Sequence, residues 1–146
     1  MDVELRTGTV TDTEAVAAVF GAARAGLGFL PRLHTEDEDR SFFRGQLARL
    51  QSSVALRNGA VVGFAIFGEG WLHHLYVDPT AQGEGIGARL LARVRDGLGD
   101  AVQLWTFEAN AGARRFYERH GFEPVERTDG SGNEERLPDV RYTWRA

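Results

Sequence analysis

The sequence contains no cysteine, which excludes disulfides, thiolate metal sites and a cysteine nucleophile together. It also lacks an apolar run long enough to span a bilayer. Its first residues, MDVELRTGTVTDTEAV, show no basic segment leading into an apolar one, so no export signal is expected and the cytoplasm is the expected location. Nor is there an excess of positive charge. The formal net charge is −4, which gives no broad electrostatic grip on nucleic acid or anionic membrane. No internal repeat is present, and the one low-complexity stretch is a polar segment near the C-terminus.

What is present suits one compact domain spanning 1–146. A chain of 146 residues can bury about two-thirds of its unfolded surface in a single core. Its 42% hydrophobic and 26% charged content is that of an ordinary globular protein. Val3 to Arg6 predicts a short strand. Thr11-Asp12-Thr13-Glu14 carries helix-start chemistry ahead of Val16, Val19, Phe20 and Ala23, and Thr35-Glu36-Asp37-Glu38 does the same ahead of Phe43, Leu47 and Leu50. Asn58-Gly59 is a hairpin signal between Ser53–Arg57 and Ala60–Phe67, because both central positions of a tight turn need positive φ. Gly68-Glu69-Gly70 then turns into the aromatic and branched run Trp71 to Val77, completing an antiparallel meander.

After Val77 the chain passes through Asp78-Pro79 into Gln82-Gly83-Glu84-Gly85-Ile86-Gly87, and Ile86, Leu90, Leu91, Val94 and Leu98 follow at helical spacing. Glycines at the start of a helix let backbone amides approach a ligand where the unpaired N–H groups and the helix dipole favour phosphate oxygens. A glycine-rich turn without a ligand fits the same residues. Val102 to Phe107 predicts a strand parallel to Trp71–Val77, since a helix joins them. Asn110 is a helix N-cap candidate, with Gly121 placed to end that helix. Phe122–Arg127 and Val140–Trp144 are the last strands, separated by Thr128–Asp139, a polar stretch expected to be without structure. The fold expected is α/β of the α+β kind: a mixed, mostly antiparallel sheet of about seven strands with a central βαβ unit and about four helices.

Two phosphate ligands compete for the glycine loop. Gly83-Glu84-Gly85-Ile86-Gly87-Ala88 satisfies G-x-G-x-x-A, a dinucleotide fingerprint, but five residues, Asp78 to Gln82, separate it from its strand, and the preceding strands form an antiparallel series. The second pattern is Gln82-x-x-Gly85-x-Gly87 followed downstream by Asn110-Ala111-Gly112-Ala113-Arg114-Arg115-Phe116-Tyr117-Glu118-Arg119-His120-Gly121-Phe122. Together these resemble the GNAT superfamily of acyl-coenzyme A dependent N-acetyltransferases. The first segment is similar to that family's pyrophosphate loop and the second to its Asn-x-x-Ala-x-x-(Phe/Leu)-Tyr-x-x-x-Gly-Phe segment.

The resemblance implies that acetyl-CoA is the acyl donor, that no metal is required and that the acceptor is a small-molecule or peptide amine. It implies a bulged strand whose outer edge at Leu75, Tyr76 and Val77 pairs with the pantetheine amides. It implies a pyrophosphate held on the amides of Gln82, Gly83, Glu84, Gly85, Ile86 and Gly87. Asn110 would hydrogen-bond near the cofactor or the amine, a role compatible with a plain N-cap. Tyr117, two helical turns beyond Asn110, would protonate the departing thiolate. A core tyrosine packed beside Phe116 is the plainer reading of the same residue.

The catalytic base is open. Some relatives place a glutamate five positions before the motif asparagine, where this chain has Trp105. Glu69, His73, His74, Glu108, His34 and Glu36 remain as candidates. His73 and His74 point to opposite faces of a strand. The acidic run Glu36-Asp37-Glu38-Asp39 would attract a cationic amine, or simply start a helix. Thr128–Asp139 is a lid candidate. Either a monomer or a homodimer is expected, with edges of the last two strands available for pairing between chains. The competing function is a non-catalytic acyl-CoA binding or sensing module, which would have no need of Tyr117 as a proton donor.

Overall fold

The structure is a computed structural model and describes residues 2–146. A short strand, β1 (Glu4–Thr7), leads through a single 3-10 turn into α1 (Thr13–Ala25). Asp12 in that turn accepts both Arg6 guanidinium nitrogens at 2.9 Å and the Thr9 amide at 2.9 Å. A buried carboxylate without such partners would be expensive, so this network ties β1 to the helix start. Helix α2 (Glu36–Arg49) opens on a capping box in which Thr35 and Glu38 satisfy each other's backbone N–H groups, at 2.8 and 3.1 Å.

Strands β2 (Gln51–Arg57), β3 (Ala60–Gly68) and β4 (Trp71–Val77) form the expected meander, followed by α3 (Ile86–Leu98), β5 (Ala101–Phe107), α4 (Ala111–Arg119), β6 (Glu123–Thr128) and β7 (Asp139–Arg145). The sheet order is β1-β2-β3-β4-β5-β7-β6, with β4 and β5 the parallel pair. Period-two alternation divides the core between two faces. Val54, Phe64 and Ile66 pack under α1 and α2 with Val16, Val19, Phe43 and Leu47. Ala55, Ala65 and Phe67 pack under α3 with Ile86, Leu90, Leu91 and Val94.

Two expectations are corrected. The last two strands are not both at an edge: β7 lies between β5 and β6, and the fully buried Val140 and Tyr142 require that interior place. The edge strands are β1 and β6. Nor is the polar stretch before β7 without structure. Asn133 clamps it, its Nδ2 donating to the Leu137 carbonyl at 2.7 Å and its Oδ1 accepting the Leu137 amide at 3.2 Å. Composition signals a turn here but not which side chain closes it, Asn133 onto a residue four positions on.

Two local features shape the site. Ile66 pairs with His74 while Phe67 pairs with Leu72, so His73 is an extra residue bulged from β4. Between β4 and β5 the pairing is confined to Trp71 and Gln103, with the Gln103 amide donating to the Gly70 carbonyl at 2.9 Å. Beyond that point the two parallel strands separate. The outer edge of β4 is therefore left without a strand neighbour toward its C-terminal end.

Candidate active site

The gap between the strands is a cavity of about 130 Å³. Leu72, His73, His74, Leu75 and Tyr76 line it from β4, Leu104 to Phe107 from β5, and Asn110, Ala113 and Tyr117 from α4. Of the expected site residues, Leu75, Tyr76, Asn110 and Tyr117 thus meet in one place. Val77 is the next residue along the same edge, but its carbonyl accepts the Gln82 side-chain amide at 3.0 Å. That bond closes the loop and takes one group out of the open edge.

At the end of β4 the loop runs through Gly83 and Gly85, with φ of 79° and 82°, and Gly85 is the N-cap of the 13-residue helix α3. A Cβ on either glycine would meet no atom within 4 Å, so their surroundings are open on the side a side chain would occupy. No side chain caps α3 among the described residues, which leaves its first amides available to a ligand. Glu84 puts a carboxylate in the loop, neutralised by an ion pair with Arg57 from β2. This cradle suits an anionic group, and the open β4 edge suits an extended arm bearing amides.

Tyr117 is 8% exposed. Its ring packs on Phe116, Phe122 and Tyr142, with centroid separations of 5.2, 5.5 and 6.4 Å. The core role and the site role therefore coexist. Its hydroxyl makes no hydrogen bond to protein among the described residues. Burial pushes the phenol pKa above its ordinary value, and neighbouring Tyr76 adds to the effect, so the group stays protonated. Asn110 caps α4 by accepting the Ala113 amide at 3.1 Å, which leaves its amide N–H donors for a ligand.

A second, larger cavity of about 750 Å³ lies against the first, sharing Leu27, Leu30 and His74 as its wall. His74 is enclosed by the rings of Phe20, Phe42, Phe43 and Tyr76. Desolvation there, with lesser electrostatic contributions from His73 and Arg24, pushes its pKa down to about 3, so the ring is neutral near pH 7. Of the other base candidates, His73 lines the first of these two cavities and His34 the second. Glu108 pairs with Arg127 at 3.1 Å outside both, and Glu69 occupies the turn before β4. Glu36 also lies outside, although Glu38 and Asp39 of the same acidic run reach the second cavity.

Sequence reasoning named His34 but missed Arg24, Glu134 and Glu135, which close this chamber with it. Arg24 on α1 pairs with Glu135 at 3.1 Å, and His34 contacts Glu134. Both glutamates come from the β6–β7 loop, so that loop is held against α1 and the α1–α2 connection. No spacing rule links partners 111 residues apart.

Among the described residues no three or more His, Asp or Glu side chains are grouped to hold a metal ion, and no helix is long and apolar enough to cross a membrane. The sequence profile of the Acetyltransferase (GNAT) domain matches residues 47–124. An uncharacterized N-acetyltransferase of Archaeoglobus fulgidus is 27% identical over 149 residues, covering 90% of this chain and 100% of that protein. The solved structure of a GCN5-related N-acetyltransferase from Rhodopseudomonas palustris matches with a TM-score of 0.85 at 22% identity, over 100% of this chain and 97% of that one. Another, yncA from Salmonella typhimurium, solved with its cofactor acetyl-CoA, matches with a TM-score of 0.76 at 22% identity, over 99% of this chain and 94% of that one.

Proposed function

The chain belongs to the GNAT superfamily of N-acetyltransferases, and from that premise we propose that it transfers an acetyl group from acetyl-CoA to an amine by direct attack, with Tyr117 serving the departing sulfur. The donor is supported by the acetyl-CoA held in the similarly folded yncA and by the open cradle at the start of α3. The amides from Gln82 to Gly87 would hold the pyrophosphate, and the outer edge of β4 at Leu75 to Val77 would pair with the pantetheine amides. When bound, acetyl-CoA supplies a thioester carbonyl open to attack.

The chain's own groups then have separate tasks. Leu72, Leu75 and Leu104 line the cleft with apolar surface, which keeps bulk water from competing with the amine. Tyr117, kept in its O–H form by burial, offers a hydrogen bond and finally a proton to sulfur. The amine arrives from the larger chamber, past His74, and the neutral imidazole leaves that passage without a fixed positive charge. The single observation that carries this reading is Tyr117, lining the gap between two separated parallel strands with a hydroxyl that no protein group engages among the described residues.

Replacing that hydroxyl tests the assignment. Tyr117→Phe keeps the packed ring, so coenzyme binding by titration calorimetry is expected to stay nearly intact. Turnover is expected to fall at least about tenfold, a floor below the roughly 10²–10⁴-fold that a positioned general acid contributes. Unchanged turnover would remove Tyr117 from the chemistry.

A further inference from the structure

The larger chamber has two unlike ends, and, taken with the acetyltransferase reading on which this inference rests, they specify the acceptor. Its inner wall, shared with the cleft, is Leu27, Leu30 and His74. The rings of Phe20 and Phe42 flank His74, at 6.3 and 5.6 Å between centroids, and its imidazole has no hydrogen-bond partner among the described residues. This end presents apolar surface and one neutral polar ring to whatever approaches the thioester site.

The outer wall is charged. Glu38 and Asp39 face the chamber from the first turn of α2, and Glu134 and Glu135 from the β6–β7 loop. Arg24 and Arg32 are the guanidinium groups on the same wall. Four carboxylates against two guanidinium groups give this wall an excess of acidic over guanidinium side chains. They are not equally available. Glu135 is committed to Arg24 at 3.1 Å, both side chains are about four-fifths buried, and Arg24 also stacks over Phe20 at 5.0 Å. Glu134 touches His34, whose other ring nitrogen lies 3.9 Å from Glu38. Asp39 makes no ion pair among the described residues. Asp39 is therefore the freest of them, Glu38 and Glu134 share His34, and none of the three lines the cleft that Tyr117 lines.

A nitrogen that attacks a thioester must be neutral when it does so. The reacting nitrogen therefore makes little use of the carboxylates, which are separated from the cleft by the His74 wall. We propose that the chamber takes a small aliphatic amine with two ammonium groups, one entering past His74 to react and the other remaining charged against Asp39, Glu38 and Glu134. The aliphatic stem between them lies along Phe20, Phe42, Leu27 and Leu30. In the transfer, the inner nitrogen gains a C–N bond to the acetyl carbonyl as the C–S bond breaks. That nitrogen gives up two protons from its ammonium form, one of which ends on sulfur and one in solvent. The outer ammonium is unchanged.

Three acceptors of equal length isolate the second charge: hexylamine, 1,6-diaminohexane and 6-aminohexanoate. Thiol release with acetyl-CoA gives kcat/KM for each, and calorimetric titration of each amine into the protein with CoA gives binding without turnover. The diamine is expected to exceed hexylamine at least about tenfold in kcat/KM and to bind more tightly, as a charge met by opposite charges in a cleft does. In Asp39→Asn and Glu134→Gln that ratio is expected to fall toward unity. Both carboxylates lie outside the Arg24–Glu135 pair, which still holds the loop when Glu134 loses its contact with His34, and thermal melting checks the fold. Equal use of hexylamine and diamine overturns the proposal. So does preference for 6-aminohexanoate, which would assign Arg24 and Arg32 to a substrate carboxylate. Diamine binding without thiol release would sustain the cation site while removing the acetyltransferase chemistry, and the absence of both would overturn the cation site.

Discussion

Tyr117 and His74 stand on the same cleft, and burial moves their proton equilibria in opposite directions with one result, a neutral side chain near pH 7. His74 carries a consequence for stability. In the unfolded chain it binds a proton as pH falls below about 6.5, whereas in the folded protein it does so only near 3. The unfolded state therefore holds more protons across that window, and stability falls as pH drops through it. His120, also depressed by burial and by neighbouring Arg95 and Arg119, adds in the same direction. Asp12 acts lower down: Arg6 holds its carboxylate below the usual value, so its contribution is complete above about 3.8 and is lost as pH falls through the folded value. Urea midpoints should accordingly decline between pH 7 and pH 4.5, and His74→Phe should remove most of that decline. An unchanged pH profile in the variant would show that His74 is not desolvated. The place of Tyr117 on the cleft was legible in the sequence because Asn110, which caps the same helix, lies two turns before it. Glu134, Glu135 and Arg24 were not, since only the folded chain brings them together.

Elements whose ends carry their own chemistry were read to within a residue or two. Thr35 with Glu38 starts α2, Asn110 starts α4, and Gly121, at φ 87°, follows its end. The glycine loop belongs to this class as well, because Gly85 at φ 82° serves as the N-cap of α3 in a conformation that disfavours side chains. Gly85→Ala is expected to cost about 1–2 kcal/mol of stability and to raise the dissociation constant for CoA, since the amides of the cradle must shift to relieve the strain. Denaturant unfolding and calorimetry read the two effects separately. A variant that loses stability but binds CoA normally would take the loop out of the coenzyme site. The β6–β7 loop shows the opposite case. Its polar residues announce a turn, yet the Asn133 clamp on Leu137 and the two glutamates that anchor it become visible only in three dimensions.

At the scale of the whole molecule, one sheet carries two cores and opens at its parallel pair. The meander, the βαβ unit and the helix count were legible because hydrophobic period and turn residues agree along the chain. The place of β7 inside the sheet was not, because a strand's neighbours depend on pairing across a long connection rather than on local pattern. The cleft between the separated strands and the larger chamber meet at the wall of Leu27, Leu30 and His74, and Tyr117 lines the cleft. The most direct measurement is thiol release from acetyl-CoA across a panel of amines, paired with mass spectrometry of the acceptor. The account predicts thiol release that depends on the amine and matches the acetylated product one for one. Saturable acetyl-CoA binding with no amine-dependent release anywhere in the panel would contradict it and describe an acyl-CoA sensing module instead.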